Sequence, residues 1–81
     1  MSTELEKRVL KCLNKVIAAP VESLDLETSL RAGLELDSLK MVMLQVEIEE
    51  EFRFTFDPIE DDFEKIFATF GDLCAFLEKK E

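Results

Sequence analysis

Apolar residues recur at helical spacing along much of the chain. Leu5, Val9, Cys12, Leu13, Val16 and Ile17 make one apolar face. Glu4, Lys7, Arg8, Lys11 and Lys15 fall mostly on the other side. Thr3 and Glu6 form a Thr-x-x-Glu capping box, so a first helix is expected to begin at Thr3. Glu4 precedes Arg8 by four residues, the favourable order for a helical ion pair. Pro20 is expected to end this helix, because the residue before a proline is pushed out of the helical region.

Residues 19–36 lack a clear period, yet Leu24, Leu26, Leu30, Leu34 and Leu36 lie within them. A connection of this length with no structure is uncommon in a small domain. The leucines are therefore expected to pin it across a core, with a short helical turn near Thr28-Ser29-Leu30. Gly33 reads as a backbone punctuation point. A second helix is expected from Ser38 to about Phe52, with Asp37 as its N-cap. At about 100° per residue, Met41, Leu44, Ile48 and Phe52 share one side, and Leu39, Val42, Met43 and Val46 the other. A helix apolar on both sides is either sandwiched or faces a partner. So short a chain has little material to cover both. The first side is expected in the core, and the second exposed beside Ser38 with Glu47 and Glu50 at its edges. Glu49-Glu50-Glu51 sit at the helix end where the dipole disfavours negative charge. Both a solvated end and a purpose beyond stability fit that cluster.

Phe52, Phe54 and Phe56 alternate as in a strand, but no second strand is at hand to pair with them. Residues 53–57 read as a connection. Asp57-Pro58-Ile59-Glu60 reads as a helix start, with Asp as N-cap and Pro at the first position. The short third helix that follows would carry Ile59, Phe63, Ile66 and Phe67. Thr69-Phe70-Gly71-Asp72 repeats the capping logic for a last helix carrying Leu73, Cys74, Phe76 and Leu77, with Lys79 and Lys80 suiting its end. Phe52, Phe63, Phe67 and Phe76 are expected in the core with Leu13 and Leu44. The fold class expected is all-α: a small bundle of three main helices plus one short helix, with residues 1–81 forming a single domain.

Composition narrows the function. The chain has 81 residues, 47% of them hydrophobic, and a formal net charge of −9. An acidic chain is a poor partner for nucleic acid and suits basic protein surfaces. His is absent, which removes the commonest general base and rules out a Ser-His-Asp triad. Lys40 lies two residues after Ser38, a spacing that turns the two side chains apart on a helix and disfavours a Ser-Lys dyad. Asp57, Glu60, Asp61 and Asp62 lack the alternating order and central Gly of a calcium loop, so no metal site is expected. Cys12 and Cys74 form no CxxC pair and read as small buried hydrophobes of a reducing compartment, although a disulfide between them stays open. No apolar run reaches membrane-spanning length, and Met1-Ser2-Thr3-Glu4 has no signal-peptide character. A cytoplasmic protein that does not bind membranes is expected.

Asp37-Ser38-Leu39, followed by Val42, Leu44, Ile48, Glu49-Glu50 and Phe52, resembles the acyl carrier protein family, and the likeness extends over nearly the whole chain. The resemblance implies that Ser38 carries a covalent 4'-phosphopantetheine arm, with Asp37 as the motif residue before it. It implies a monomeric carrier without catalysis of its own, whose arm holds acyl groups as thioesters for fatty acid, polyketide or specialised lipid synthesis. The implied partners are a phosphopantetheinyl transferase and acyl-loading and acyl-using enzymes, docking through basic or apolar patches on Leu39, Val42, Met43, Val46, Glu47 and Glu50. Two features depart from the family. Members serving fatty acid synthesis often have acids two and five positions after the serine, where this chain has Lys40 and Met43. The segment from Asp57 to Asp62 is also about two residues longer than the common family pattern. The first departure points toward a specialised carrier. An aminoacyl or peptidyl carrier, for example of D-alanine, fits the same motif, and an acidic helical adaptor without a prosthetic group is the alternative of a different class.

Overall fold

Five helices follow one another in the computed structural model, which describes residues 3–17, 19–57 and 59–80. They are α1 (Thr3–Asn14), α2 (Leu30–Gly33), α3 (Ser38–Phe52), α4 (Phe63–Ile66) and α5 (Phe70–Lys80). The fold is the expected all-α bundle with three main helices, α1, α3 and α5, and its short elements number two. α1 packs on α3 and α5, and α4 packs on α5. Leu5, Val9, Cys12 and Leu13 of α1 are buried against Met41, Leu44 and Ile48 of α3 and Phe70, Leu73, Cys74 and Leu77 of α5. The 3.6-residue period thus gives each main helix one core stripe.

α1 stops at Asn14, well before Pro20. Its last bonds tighten, with Lys15 N–H reaching the Cys12 carbonyl and Val16 N–H the Leu13 carbonyl. The Asn14 side chain then takes over: its Nδ2 donates to the Val21 carbonyl at 2.9 Å and its Oδ1 accepts the Val21 N–H at 3.0 Å. This two-point clasp folds the chain back before the proline can act. Thr3, expected as the cap, is helical in α1, and the residue before it lies outside the described residues.

The long connection is pinned as its leucines foretell, with one exception. Leu30 and Leu36 are buried, and Leu24 and Leu34 pack against the core. Leu26 stays exposed, and its carbonyl serves instead, accepting the Gly71 N–H. Leu30 N–H to the Ala68 carbonyl and Phe70 N–H to the Thr28 carbonyl complete a short antiparallel clasp around Ser29 and Thr69. The expected helical turn is α2, capped by Ser29, whose Oγ accepts the Ala32 N–H.

The helix expected to start at Asp57 begins later, as α4. Asp57 does accept the N–H groups of Ile59 and Glu60, which hold its carboxyl below the usual range. However, the Asp61 carboxylate closes back on the Asp57 N–H at 2.7 Å, so the segment makes a separate turn. A second cap, Asp62, then starts α4 at Phe63. Ile59 is consequently 88% exposed rather than part of the core. The expected position of Pro58 lies outside the described residues. The aromatic core also differs. Phe67, Leu13 and Leu44 are buried as expected, but Phe56 and Phe70 are the other buried rings. Phe52, Phe63 and Phe76 are half-buried around them. Phe56 is the hub because a loop residue can turn inward freely: its ring meets Phe54, Phe63, Phe67 and Phe76 at centroid distances of 4.8 to 5.6 Å.

Candidate functional site at the start of the third helix

Ser38 sits where two helix ends meet. α2 closes with a Schellman-type bond, Leu36 N–H to the Arg31 carbonyl at 3.2 Å. That motif needs a left-handed residue, and Glu35 supplies it with φ 54°. Gly33, the residue expected to punctuate the backbone, ends α2 without a positive φ. A left-handed non-glycine residue is uncommon and is kept in place by its surroundings. Here the next residue, Leu36, is buried and anchors the turn. Asp37 is extended, and its Oδ1 accepts the Lys40 N–H at 2.8 Å. Its carbonyl accepts the Met41 N–H at 2.9 Å. Ser38 is therefore the first helical residue, exposed, with buried Leu36 before it and buried Met41 one turn after.

This geometry suits a phosphodiester on the serine oxygen. The exposed hydroxyl leaves room for a bulky substituent, and the backbone beneath is fixed on both sides. A phosphate there lies at the positive end of a 15-residue helix. The dipole contributes roughly 0.3–1 kcal/mol at an exposed site. The neighbouring carboxylates of Glu35 and Asp37 oppose it, so rigidity rather than electrostatics is the main asset.

Two surfaces adjoin Ser38. Leu39, Val42, Met43 and Val46 are 70%, 54%, 45% and 46% exposed along one side of α3. Ser38, Met41 and Gln45 share another face at helical spacing, and below Ser38 this face borders a cleft of about 380 Å³. Met41, Phe63 and Phe67 give the cleft apolar walls, and Arg31, Gln45 and Glu64 give it polar ones. Arg31 and Gln45 carry no motif signal in the sequence, because they come from different helices, α2 and α3, and meet only as walls of this cleft.

The acidic end of α3 serves the fold. Arg8 Nε donates to Glu51 Oε2 at 3.0 Å, and its terminal nitrogen reaches the Glu51 carbonyl at 2.9 Å. The same guanidinium lies 4.2 Å over the Phe52 ring. Arg8 holds the Glu51 carboxyl below the usual carboxylate range. Lys11 stands 3.8 Å from the other Glu51 oxygen. Glu49 Oε2 accepts the Phe56 N–H at 2.8 Å. Glu47, expected at the edge of the apolar patch, instead pairs with Lys15 of α1 at 3.2 Å. Glu50 is exposed.

Cys12 and Cys74 are free and buried. The Cys12 thiol points toward the Glu47 carbonyl at 3.7 Å. Among the described residues no group of His, Cys, Asp and Glu is placed to hold a metal ion, and no helix is long and apolar enough to cross a membrane.

Residues 7–77 match the family model described as a phosphopantetheine attachment site. The match spans most of α1 through most of α5 and includes the whole α2–α3 junction. Such domains hold 4'-phosphopantetheine covalently on a serine and meet a phosphopantetheinyl transferase and acyl-handling enzymes. The exposed serine on a rigid helix start fits that group, and the chain belongs to the phosphopantetheine-binding carrier family.

Proposed function

We propose that Ser38 is the attachment serine and that the protein is an acyl carrier. The observation that supports this reading is the exposure of Ser38 at the first position of α3, between buried Leu36 and Met41. In the loading step the Ser38 oxygen forms the bond to phosphorus, adenosine bisphosphate leaves coenzyme A, and the serine proton passes to a base on the transferase. When bound, the arm supplies a terminal thiol that holds cargo as a thioester. This chain supplies everything else. Asp37 fixes the helix start, Leu36 and Met41 keep the root rigid, and Leu39, Val42, Met43 and Val46 offer a docking surface with Glu50 at its edge.

The carrier performs no chemistry of its own. Without His no triad can activate Ser38 as a hydrolytic nucleophile. Its buried free thiols suit the reducing cytoplasm, where it would work as a monomer. Its cargo belongs to fatty acid, polyketide or specialised lipid synthesis. Lys40 and Met43, where family members serving fatty acid synthesis often have acids, favour a specialised pathway. One observation favours a second reading, an aminoacyl or peptidyl carrier: Arg31, Gln45 and Glu64 make the cleft below Ser38 partly polar.

The test is intact mass after incubation with coenzyme A and a broad-specificity phosphopantetheinyl transferase. A gain of one arm in the native chain and none in Ser38→Ala is the expected result. A gain that persists in Ser38→Ala moves the site elsewhere. No gain with several transferases favours an adaptor without a prosthetic group. Loading the arm with a plain acyl chain or with an amino acid then separates the two cargo readings.

A further inference from the structure

We infer that the cleft below Ser38 holds the phosphopantetheine arm itself at rest, with Gln45 as the residue that hydrogen-bonds it. The inference rests on Ser38 being the attachment site. Gln45 is half-buried, and its amide has no hydrogen-bond partner among the described residues. It faces a cleft of about 380 Å³. A side-chain amide offers N–H donors and an acceptor oxygen. A plain alkyl chain in the cleft would strip water from that amide and return no hydrogen bond, a costly exchange. A chain that alternates apolar and amide groups avoids that cost. Buried Met41 and Phe67 and half-buried Phe63 give the apolar contact, and exposed Arg31 and Glu64 add charge to the lining.

The arm has this alternation. From its phosphate outward come a carbon bearing two methyl groups, a hydroxyl, two amides and the thiol. Position favours the same occupant. At a rise of about 1.5 Å per residue, Met41 lies roughly 4.5 Å and Gln45 roughly 10.5 Å along α3 from Ser38. The stretch of arm near its root, rather than the cargo at its far end, matches that span. The tether also helps. Contacts too weak to capture free pantetheine suffice at the millimolar effective concentration of a short flexible link. A partner that needs the arm extended must draw it out, and its apparent affinity is reduced by the fraction of arm left free. A polar cargo would offer Gln45 similar groups, and the unloaded arm separates the two sources.

The experiment compares NMR spectra of the apo protein with those of the protein bearing the unloaded arm, its thiol kept reduced. The expected result is a shift of the Gln45 side-chain amide and of Met41, Phe63 and Phe67. Cross-relaxation should connect the arm's methyl protons with the Phe63 or Phe67 ring. In Gln45→Leu, with the arm attached to completion, these contacts should weaken about two- to tenfold, the net effect of one hydrogen bond. Phe63→Ala should weaken them from the apolar side. Shifts confined to Ser38 and its neighbours, with arm protons as mobile as in free pantetheine, overturn the inference. So do contacts undiminished in Gln45→Leu. Cleft shifts that appear only when the thiol carries an acyl or aminoacyl group also overturn it, since cargo would then be the occupant. Contacts that fade on dilution do the same, since the arm would then come from a second copy. A chain that gains no arm, or a Ser38→Ala chain that still gains one, fails the attachment reading, and the inference falls with it.

Discussion

The carbonyl oxygen of Leu26 accepts the Gly71 N–H at 2.8 Å, and a Cβ built on Gly71 would lie 2.8 Å from that same oxygen. The long connection thus touches the first turn of α5 backbone to backbone. Gly to Ala in a helix ordinarily gains up to about 1 kcal/mol. Here the new methyl also meets Leu26 Cβ at 3.0 Å, and the loop must retreat and lose its bond. Gly71→Ala is expected to destabilise the protein by more than about 1 kcal/mol. Gly33→Ala makes the contrast. Its Cβ would meet only the Thr28 Cγ2 methyl at 2.8 Å, which a side-chain rotation relieves. It should stay within about 1 kcal/mol of the native chain. Urea unfolding of both variants checks the difference in size.

Phe70 and Phe63 separate core from rim. Phe70 is fully buried at the start of α5, where its N–H also joins the Thr28 clasp. Phe63 is half-buried on the wall of the cleft. Truncating a buried Phe to Ala typically costs about 3–5 kcal/mol. That approaches the total of about 5 kcal/mol at the low end for domains. Phe70→Ala should be largely unfolded by circular dichroism. Phe63→Ala should remain folded with a lower melting temperature and a wider cleft. A melting temperature unchanged in Phe70→Ala would contradict the packing.

The three main helices and the Asp37-Ser38 start were legible because each rests on local pattern: periodic apolar positions and a capping carboxylate. What was not legible depends on competition between equal local signals or on contacts far along the chain. Asp57 and Asp62 are both good caps, and only the Asp61–Asp57 bond decides that the first closes a turn and the second starts α4. Asn14 ends α1 through Val21, which no helix rule anticipates. The acids of α3 read as a solvated end or as something more. Their actual partners, Lys15, Arg8 and the Phe56 N–H, become visible only once α1 and the following loop are in place. Phe56 looked like a connection residue because, besides neighbouring Phe54, the rings that bury it are Phe63, Phe67 and Phe76, farther along the chain.

Burial sets the alkaline limit of the fold. It pushes the Cys12 thiol up to about 11, with Glu51 adding to the effect, and the Cys74 thiol up to about 12, with Glu6 adding. Both thiols start from an ordinary value of 9.0, so below that pH neither state is ionised and nothing is lost. Above it the unfolded chain releases protons first, and stability falls as pH rises toward the folded values. Lys15, raised by its bond to Glu47, works in the same direction only above its ordinary 10.5. The melting temperature should therefore begin to drop just above pH 9.0, ahead of any lysine effect. Cys74→Ala should start lower and fall less steeply. In the native protein at about pH 8 both thiols should resist a thiol reagent and react promptly on unfolding. Immediate reaction of either one would contradict its burial.

Asp37 holds the start of α3 and sits beside the serine, so its two contributions can be separated by substitution. Its Oδ1 accepts the Lys40 N–H at 2.8 Å, and the residue is exposed. Removing an N-cap oxygen costs about 0.5–2 kcal/mol. Asn is as good a cap as Asp but lacks the charge, which contributes about 0.3–1 kcal/mol at a helix N-terminus. Asp37→Ala is therefore expected to lower stability by about 0.5–2 kcal/mol, and Asp37→Asn by no more than about 1 kcal/mol. If the residue serves Ser38 only by fixing the helix start, arm transfer should follow stability: slower in Asp37→Ala and near native in Asp37→Asn. Loss of transfer in Asp37→Asn at native-like stability would mean that the carboxylate itself is read by the transferase. Thermal melts and intact-mass time courses on the two variants, run side by side, distinguish the outcomes.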